Sequence, residues 1–302
     1  MTGNVSLPGA DMSTVDSPDA TVPRPRRARR TGRAGPGTYV LLAVVILLSV
    51  APFYWQVVIA SNTNTAIGAS PPVLVPGSHL WQHIKLVFEN ASFGRALFNS
   101  VIVCGIITIS VVLSSTLAGF AFAKLPFRGR SGFLAFVVGT MTIPPQLGII
   151  PLYIMMAQWF HWNNHLEAVI VPALVNAFGV FFMRQYLVGA FPTELLDAGR
   201  VDGASTFRIY WSLVLPIARP AAAVLGLLTF MTAWNDFFYP IVVLTPQNPT
   251  VQVALNQLAS GYQTDYSTLF TGAFLATFPI LIVFVALGRQ IIGGIMQGAV
   301  KS

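Results

Sequence analysis

Six apolar stretches of about twenty residues or more run through this chain: Tyr39–Ala60, Phe98–Ala123, Phe133–Ala157, Leu166–Leu187, Arg219–Val243 and Thr268–Ile292. About twenty residues is the length an α-helix needs to cross the hydrocarbon core of a bilayer. A helix satisfies its own backbone N–H and C=O groups in lipid, so the pattern predicts an all-α membrane protein of six transmembrane helices. Composition agrees: 54% of the 302 residues are hydrophobic and 9% are charged, against about 25% charged in a soluble domain. That balance excludes a water-facing globule. The first stretch is too long for the apolar core of a signal peptide and is expected to remain as an anchor.

Residues 1–37 are rich in Pro, Ser and Arg and are expected to form a disordered tail ahead of a transmembrane domain at 38–302. The arginines of this tail (Arg24, Arg26, Arg27, Arg29, Arg30, Arg33) abut the first span, which favours a topology anchor near anionic lipid heads over nucleic-acid binding. An even number of spans places both termini on one side. All but two of the 17 basic residues, Lys85 and Arg95, then fall on that side. The positive-inside rule makes it the cytoplasm.

Two outer loops are long. Residues 61–97 place Leu80, Ile84, Val87 and Phe88 on one helical face beside Trp81, as in a helix lying in the membrane interface. Residues 244–267 are polar and face the side from which a solute would arrive. Pro144, Pro145 and Pro151 interrupt the third span and Pro172 the fourth, which implies either breaks beside a cavity or packing kinks. The one cysteine, Cys104, lies in an apolar block and fits core packing. The pairs His79/His83 and His161/His165 could hold zinc if the loops met, although exposed loop histidines explain them as well; no metal site is expected.

The stretch between spans four and five carries most information. Pro192-Thr193 can start a short helix, with Glu194 and Asp197 suiting its positive end. Asp202-Gly203 is a chain-reversing pair. A second helix would then place Phe207, Tyr210, Trp211 and Val214 on one face, giving a helix–turn–helix knob. This loop, about 192–216, resembles the "EAA" loop of ATP-binding-cassette importer permeases, in the maltose-type carbohydrate-uptake branch. The residues are Asp197-Ala198-Gly199, then Gly203, then Leu213-Val214-Leu215-Pro216, with Asp for Glu, Gly for the second Ala and Leu for Ile. Ile143-Pro144-Pro145 with Ile150-Pro151-Leu152-Tyr153, Trp234-Asn235-Asp236, and the tail Gly298-Ala299-Val300-Lys301 are similar to that branch in the same order.

The resemblance implies a six-helix permease fold of the type I importer class, in a prokaryotic inner membrane. It implies two ATPase subunits, a second homologous permease and an extracytoplasmic solute-binding protein or lipoprotein as partners. The loop would be the coupling helix, with Glu194, Asp197, Ala198, Gly199, Asp202, Gly203, Leu215 and Pro216 as coupling residues. The chain itself would hold no cofactor, ATP and Mg being used by the ATPases. None of its lysines (Lys85, Lys124, Lys301) follows a Gly-x-x-x-x-Gly, so it carries no phosphate-binding loop. Nor does it carry a Gly-x-Ser-x-Gly or an array of acids at helical spacing, which leaves no catalytic centre to name.

Asp236 is the one acid well inside an expected span, and an intramembrane carboxylate faces a cavity or joins a helix–helix hydrogen bond. With Trp234, Asn235, Tyr239 and Asn176 it could line a sugar pathway, aromatic faces meeting C–H surfaces and amides holding hydroxyls. The rival reading is a stand-alone secondary carrier. Such carriers use several intramembrane ionisable groups and inverted repeats, whereas this sequence offers essentially Asp236 alone and no convincing repeat, and they have no need of a cytoplasmic knob.

Overall fold

The computed structural model describes residues 35–260 and 264–299, with side-chain surroundings up to residue 288. Most of the expected tail, the Arg289 side chain and Val300-Lys301 lie outside the described residues. The chain divides into two units, residues 1–50 and 51–302. The described part of the first is the beginning of helix α1 (Pro36–Ser61), whose Tyr39, Leu47 and Leu48 are exposed, as on a helix made to face lipid or another apolar partner.

In the second unit every regular element among the described residues is helical. The final turn of α1 is buried, at Val58–Ser61. A one-turn α2 (Asn64–Ile67) and α3 (Leu80–Asn90) lead to the long α4 (Phe93–Lys124). Next come α5 (Arg130–Thr140), a tight turn at 145–148, α6 (Ile149–Ile154) and a wide turn at 155–159. The following stretch is broken into α7 (Glu167–Ile170), a 3-10 turn at 171–173 and α8 (Ala177–Ala190). Then follow α9 (Thr193–Val201), α10 (Thr206–Ile209), α11 (Leu215–Trp234), α12 (Phe238–Val243), α13 (Val251–Ala259) and α14 (Tyr266–Ala299). Among the described residues five helical runs are long and apolar enough to cross a membrane, and six if α5 and the 145–159 run, bent by 87°, count as one span.

Helix α4 is central and packs against α8 and α11. Its Gly119 meets the α8 backbone so closely that a Cβ there would lie 2.8 Å from the Arg184 amide nitrogen. One core joins α4, α8, α9 and α11 through Phe120, Met183, Leu187, Leu196, Tyr210 and Leu225. A second joins α3, α4, α11, α13 and α14 through Val87, Phe93, Cys104, Phe230, Trp234 and Val251. Cys104 thus has the packing role expected of it.

Three sequence expectations need correcting. First, α3 turns His83 and Val87 inward against α14, while Phe88 and Trp81 are exposed. His83 Nδ1 donates to the Ala60 carbonyl at 2.7 Å, so a polar anchor, rather than the aliphatic stripe alone, sets the roll of this helix. Second, the outer stretch 244–267 contains α13, whose Val251, Val253 and Ala254 are buried. Third, the second helix of the knob is not separate: α10 passes through a wide turn at 210–214 straight into α11, so Thr206–Trp234 is one helical run within the candidate span Thr206–Val243.

Candidate functional site

The knob is built from its caps inward. Helix α9 ends in a left-handed residue, Gly203, at φ +74°. The Gly203 N–H donates to Arg200 O at 3.0 Å and the Ala204 N–H to Gly199 O at 2.9 Å. This crossed pair satisfies the carbonyls a helix end leaves open, and glycine adopts the required φ without a Cβ penalty. Ser205 restarts the chain, its Oγ accepting from the Arg208 N–H at 3.3 Å. The rear of α9 is held by Leu196, which is 1% exposed in the core with Phe191, Ile209 and Tyr210.

Turned away from that core, Glu194, Asp197, Ala198, Asp202 and Gly203 are exposed, and Gly199 is half-buried against Ile209. Asp197 lies 3.7 Å from Arg200, both largely exposed, a pair worth little in water. Val201 stands out at 87% exposure, an apolar side chain at the tip of the knob. Leu215 and Pro216 are not at this tip; they lie in the first turn of α11, beyond the wide turn. The expected aromatic face is divided: Tyr210 and Val214 are buried, while Phe207 and Trp211 remain exposed. The 210–214 turn bonds i to i+5 instead of i+4, which rotates the faces that a 3.6-residue period assigns. Tyr210 reaches 3.2 Å from the Leu113 carbonyl of α4 and donates to it.

The other candidate site is a cavity where three interrupted runs meet. The 141–144 break precedes Pro145, the 174–176 break precedes α8, and the 235–237 break separates α11 from α12. Two adjoining spaces, of about 570 and about 300 Å3, share Pro145, Gln146, Val169, Ala173 and Asp236. Proline at 144 and 145 removes backbone donors at the first break. Asn176 caps the second, its Oδ1 accepting from the Gly179 N–H at 3.1 Å. Irregular backbone inside a membrane protein is tolerated where it lines a cavity or is covered by protein.

Of the five expected pathway residues, three line this cavity: Asp236 both spaces, Asn176 the larger and Tyr239 the smaller. Trp234 and Asn235 do not. Trp234 is 2% exposed, stacks on Phe230 at 5.6 Å between ring centroids, and its carbonyl accepts from Gln252 Nε2 at 3.1 Å. Asn235 Nδ2 turns back onto the Met231 carbonyl at 2.8 Å. Successive positions on a helix end point about 100° apart, so adjacent residues cannot all face one space. Gln146, Thr229 and Thr232 also line the larger space and escaped sequence reading. Their signal was a polar side chain inside an apolar span, visible for Gln146 beside Pro144-Pro145 but not distinctive for two threonines.

The histidine pairs do not assemble a metal site. His83 is committed to Ala60, and His165 lies 3.8 Å from Glu167 at the surface. Among the described residues no group of three or more His, Cys, Asp and Glu is placed to hold an ion.

Outside the cavity a polar clasp ties distant segments together. Asp265 accepts from Asn64 Nδ2 at 2.9 Å and from the Thr268 hydroxyl at 2.6 Å and N–H at 3.1 Å. Partial burial opposes ionisation of Asp265, but these hydrogen bonds and nearby His83 outweigh it and hold the carboxyl below its ordinary value.

The family model described as "binding-protein-dependent transport system inner membrane component" matches residues 112–295. The lactose transport system permease protein LacG of Rhizobium radiobacter is 33% identical over 264 residues, covering 87% of this chain and 95% of the relative. The arabinooligosaccharides transport system permease protein AraQ of Halalkalibacterium halodurans is 30% identical over 263 residues, covering 86% and 94%. The sn-glycerol-3-phosphate transport system permease protein UgpE of Yersinia enterocolitica is 28% identical over 268 residues, covering 86% and 95%. In fold the chain is similar to a solved bacterial ABC transporter involved in the import of the acidic polysaccharide alginate. The TM-score is 0.71 at 20% identity, over 86% of this chain and 99% of that one.

Proposed function

This chain belongs to the family of binding-protein-dependent transport system inner membrane components, and from that premise we propose that it translocates a sugar, an oligosaccharide or a closely related solute. It is the permease subunit of an ATP-driven importer. The family implies an ATPase and a solute-binding protein as partners. In the fuller reading, two ATPase copies dock beneath a pair of homologous permeases, the termini are cytoplasmic, and the binding protein delivers solute on the opposite side. ATP and Mg are consumed on the ATPases, so this chain performs no bond chemistry.

The observation that carries the coupling part of this reading is the construction of α9. Its inner side is fixed by Leu196, while Glu194, Asp197, Asp202 and Gly203 are exposed around the tip. A partner pressing on the tip pushes on a packed element. That element leads through Gly203 and Ser205 into the run from Thr206 to Trp234, about 40 Å of continuous helix at 1.5 Å per residue. The run ends at Asn235-Asp236, on the edge of the cavity. Movement of a rigid element between two packed arrangements is the means by which such a push would open or close the solute's path through the cavity.

Affinity purification in mild detergent from the native host, with mass spectrometry of what accompanies the chain, tests the assembly. Recovery of an ATPase, a second permease and a binding protein is expected, and a stable homo-oligomer without an ATPase refutes it. Asp197→Ala and Asp202→Ala are expected to weaken ATPase docking and lower uptake per ATP hydrolysed, with the spans still folded. Unchanged docking and uptake in the double variant would remove α9 from the coupling role.

A further inference from the structure

The larger space places one carboxylate, Asp236, among Gln146, Asn176, Thr229 and Thr232, and no lysine or arginine is among the described residues that line either space. Asp236 makes no ion pair among the described residues. Tyr239 lines the smaller space and is 9% exposed, yet its hydroxyl has no partner among the described residues. A buried hydroxyl without a partner is a group prepared for a ligand or for water. Taking the cavity as the solute's path, as in the reading above, we propose that Asp236 makes it a charge filter: it admits uncharged or amino-bearing polyhydroxy solutes and excludes carboxylated and phosphorylated ones.

The reasoning is electrostatic. Hydroxyl groups of a neutral solute can donate to the Asp236 carboxylate and exchange hydrogen bonds with the amides and threonines around it. An ammonium group gains further from the opposite charge. A carboxylate or phosphate entering the same space meets a like charge in a low-dielectric wall, with no cation to offset it. Charge of one sign lining a cleft raises the local concentration of the opposite ion by roughly tenfold or more.

The test uses the complete transporter, this chain with its partner permease and ATPase, in proteoliposomes. Cys104, the single cysteine of this chain and buried, is changed to Ala, and Thr232→Cys is introduced as a reporter in the cavity. Thr229→Cys serves as a second reporter if the first impairs assembly. Labelling of the reporter by trimethylammonium-ethyl, hydroxyethyl and sulfonatoethyl methanethiosulfonates is followed on this chain by mass spectrometry, each rate divided by that with free 2-mercaptoethanol. The cationic reagent is expected to react about tenfold faster than the anionic one or more, with Asp236→Asn bringing the ratio close to one. Rapid labelling by the neutral reagent with equal cation and anion rates, or a faster anion, would overturn the filter while leaving the cavity on the path. No labelling by the neutral reagent, both without nucleotide and in the ATP–vanadate state, would remove the cavity from the path and the filter with it.

Discussion

Gly203 decides between two accounts of the knob, because its φ of +74° is open to glycine and nothing lies within 4 Å of where a Cβ would stand. Gly203→Ala therefore introduces no clash within the chain. The whole effect is the backbone penalty of a left-handed alanine, about 1–2 kcal/mol. If docking requires the Gly203–Arg200 and Ala204–Gly199 hydrogen bonds to be in place, that penalty lowers the equilibrium constant for forming the competent turn by about 5–30-fold, and ATPase affinity by up to that factor. Gly203→Asn is the control, since asparagine enters the left-handed region far more readily than alanine yet is the larger side chain. ATPase binding to the permease pair in nanodiscs is measured by titration, together with uptake per ATP hydrolysed and the thermal midpoint of the permease. The expected order of affinity is glycine, then asparagine, then alanine, with a common thermal midpoint. If Gly203→Asn is as damaging as Gly203→Ala or worse, the glycine is there to let a partner surface approach, and the conformational argument fails.

Further outcomes follow from the same geometry. Gly119→Ala puts a Cβ 2.8 Å from both the Arg184 amide nitrogen and Met183 Cβ; backbone cannot yield as a side chain does, so a loss of about 1–3 kcal/mol and a lower thermal midpoint are expected in detergent. Leu196→Ala removes a fully buried side chain and should cost about 2–5 kcal/mol locally, releasing α9 so that limited proteolysis at 193–205 accelerates while α4 stays protected. Asp265 is held below the ordinary carboxylate value in the folded state, so its contribution is present above that ordinary value and is lost as pH falls through the folded one. Thermal midpoints measured from neutral pH downward should fall on the acid side, and Asp265→Asn should flatten that part of the profile; an unchanged profile would show that the clasp carries no proton-linked stability.

Much of the architecture was legible because it is local. Apolar stretches mark helices able to cross lipid, and a helix start at Pro192-Thr193 with reversal at Asp202-Gly203 depends on a few neighbouring residues. The observed caps lie at those positions. Pro144-Pro145 announced a break for the same reason, since a missing N–H is a property of the residue itself. Helix α13 was also within reach, as Val251, Ala254, Leu255 and Leu258 follow helical spacing in a stretch read as polar.

What the sequence by itself determined is that the chain is helical, which segments are apolar enough to cross lipid, and where glycine and proline turn or interrupt them. Tertiary structure alone decided which side of each helix is used. Trp234 turns into the core with Phe230 while Asp236, two residues on, faces the cavity. Tyr210 enters because the Leu113 carbonyl, 97 residues away, is there to accept its hydroxyl, and Trp211 beside it stays out. The cavity exists because breaks in three separate runs come together beside α4 and α11. Periodicity fixes angles around one helix axis; a cavity depends on the relative rotation of several, and that is set by packing between residues far apart in the chain.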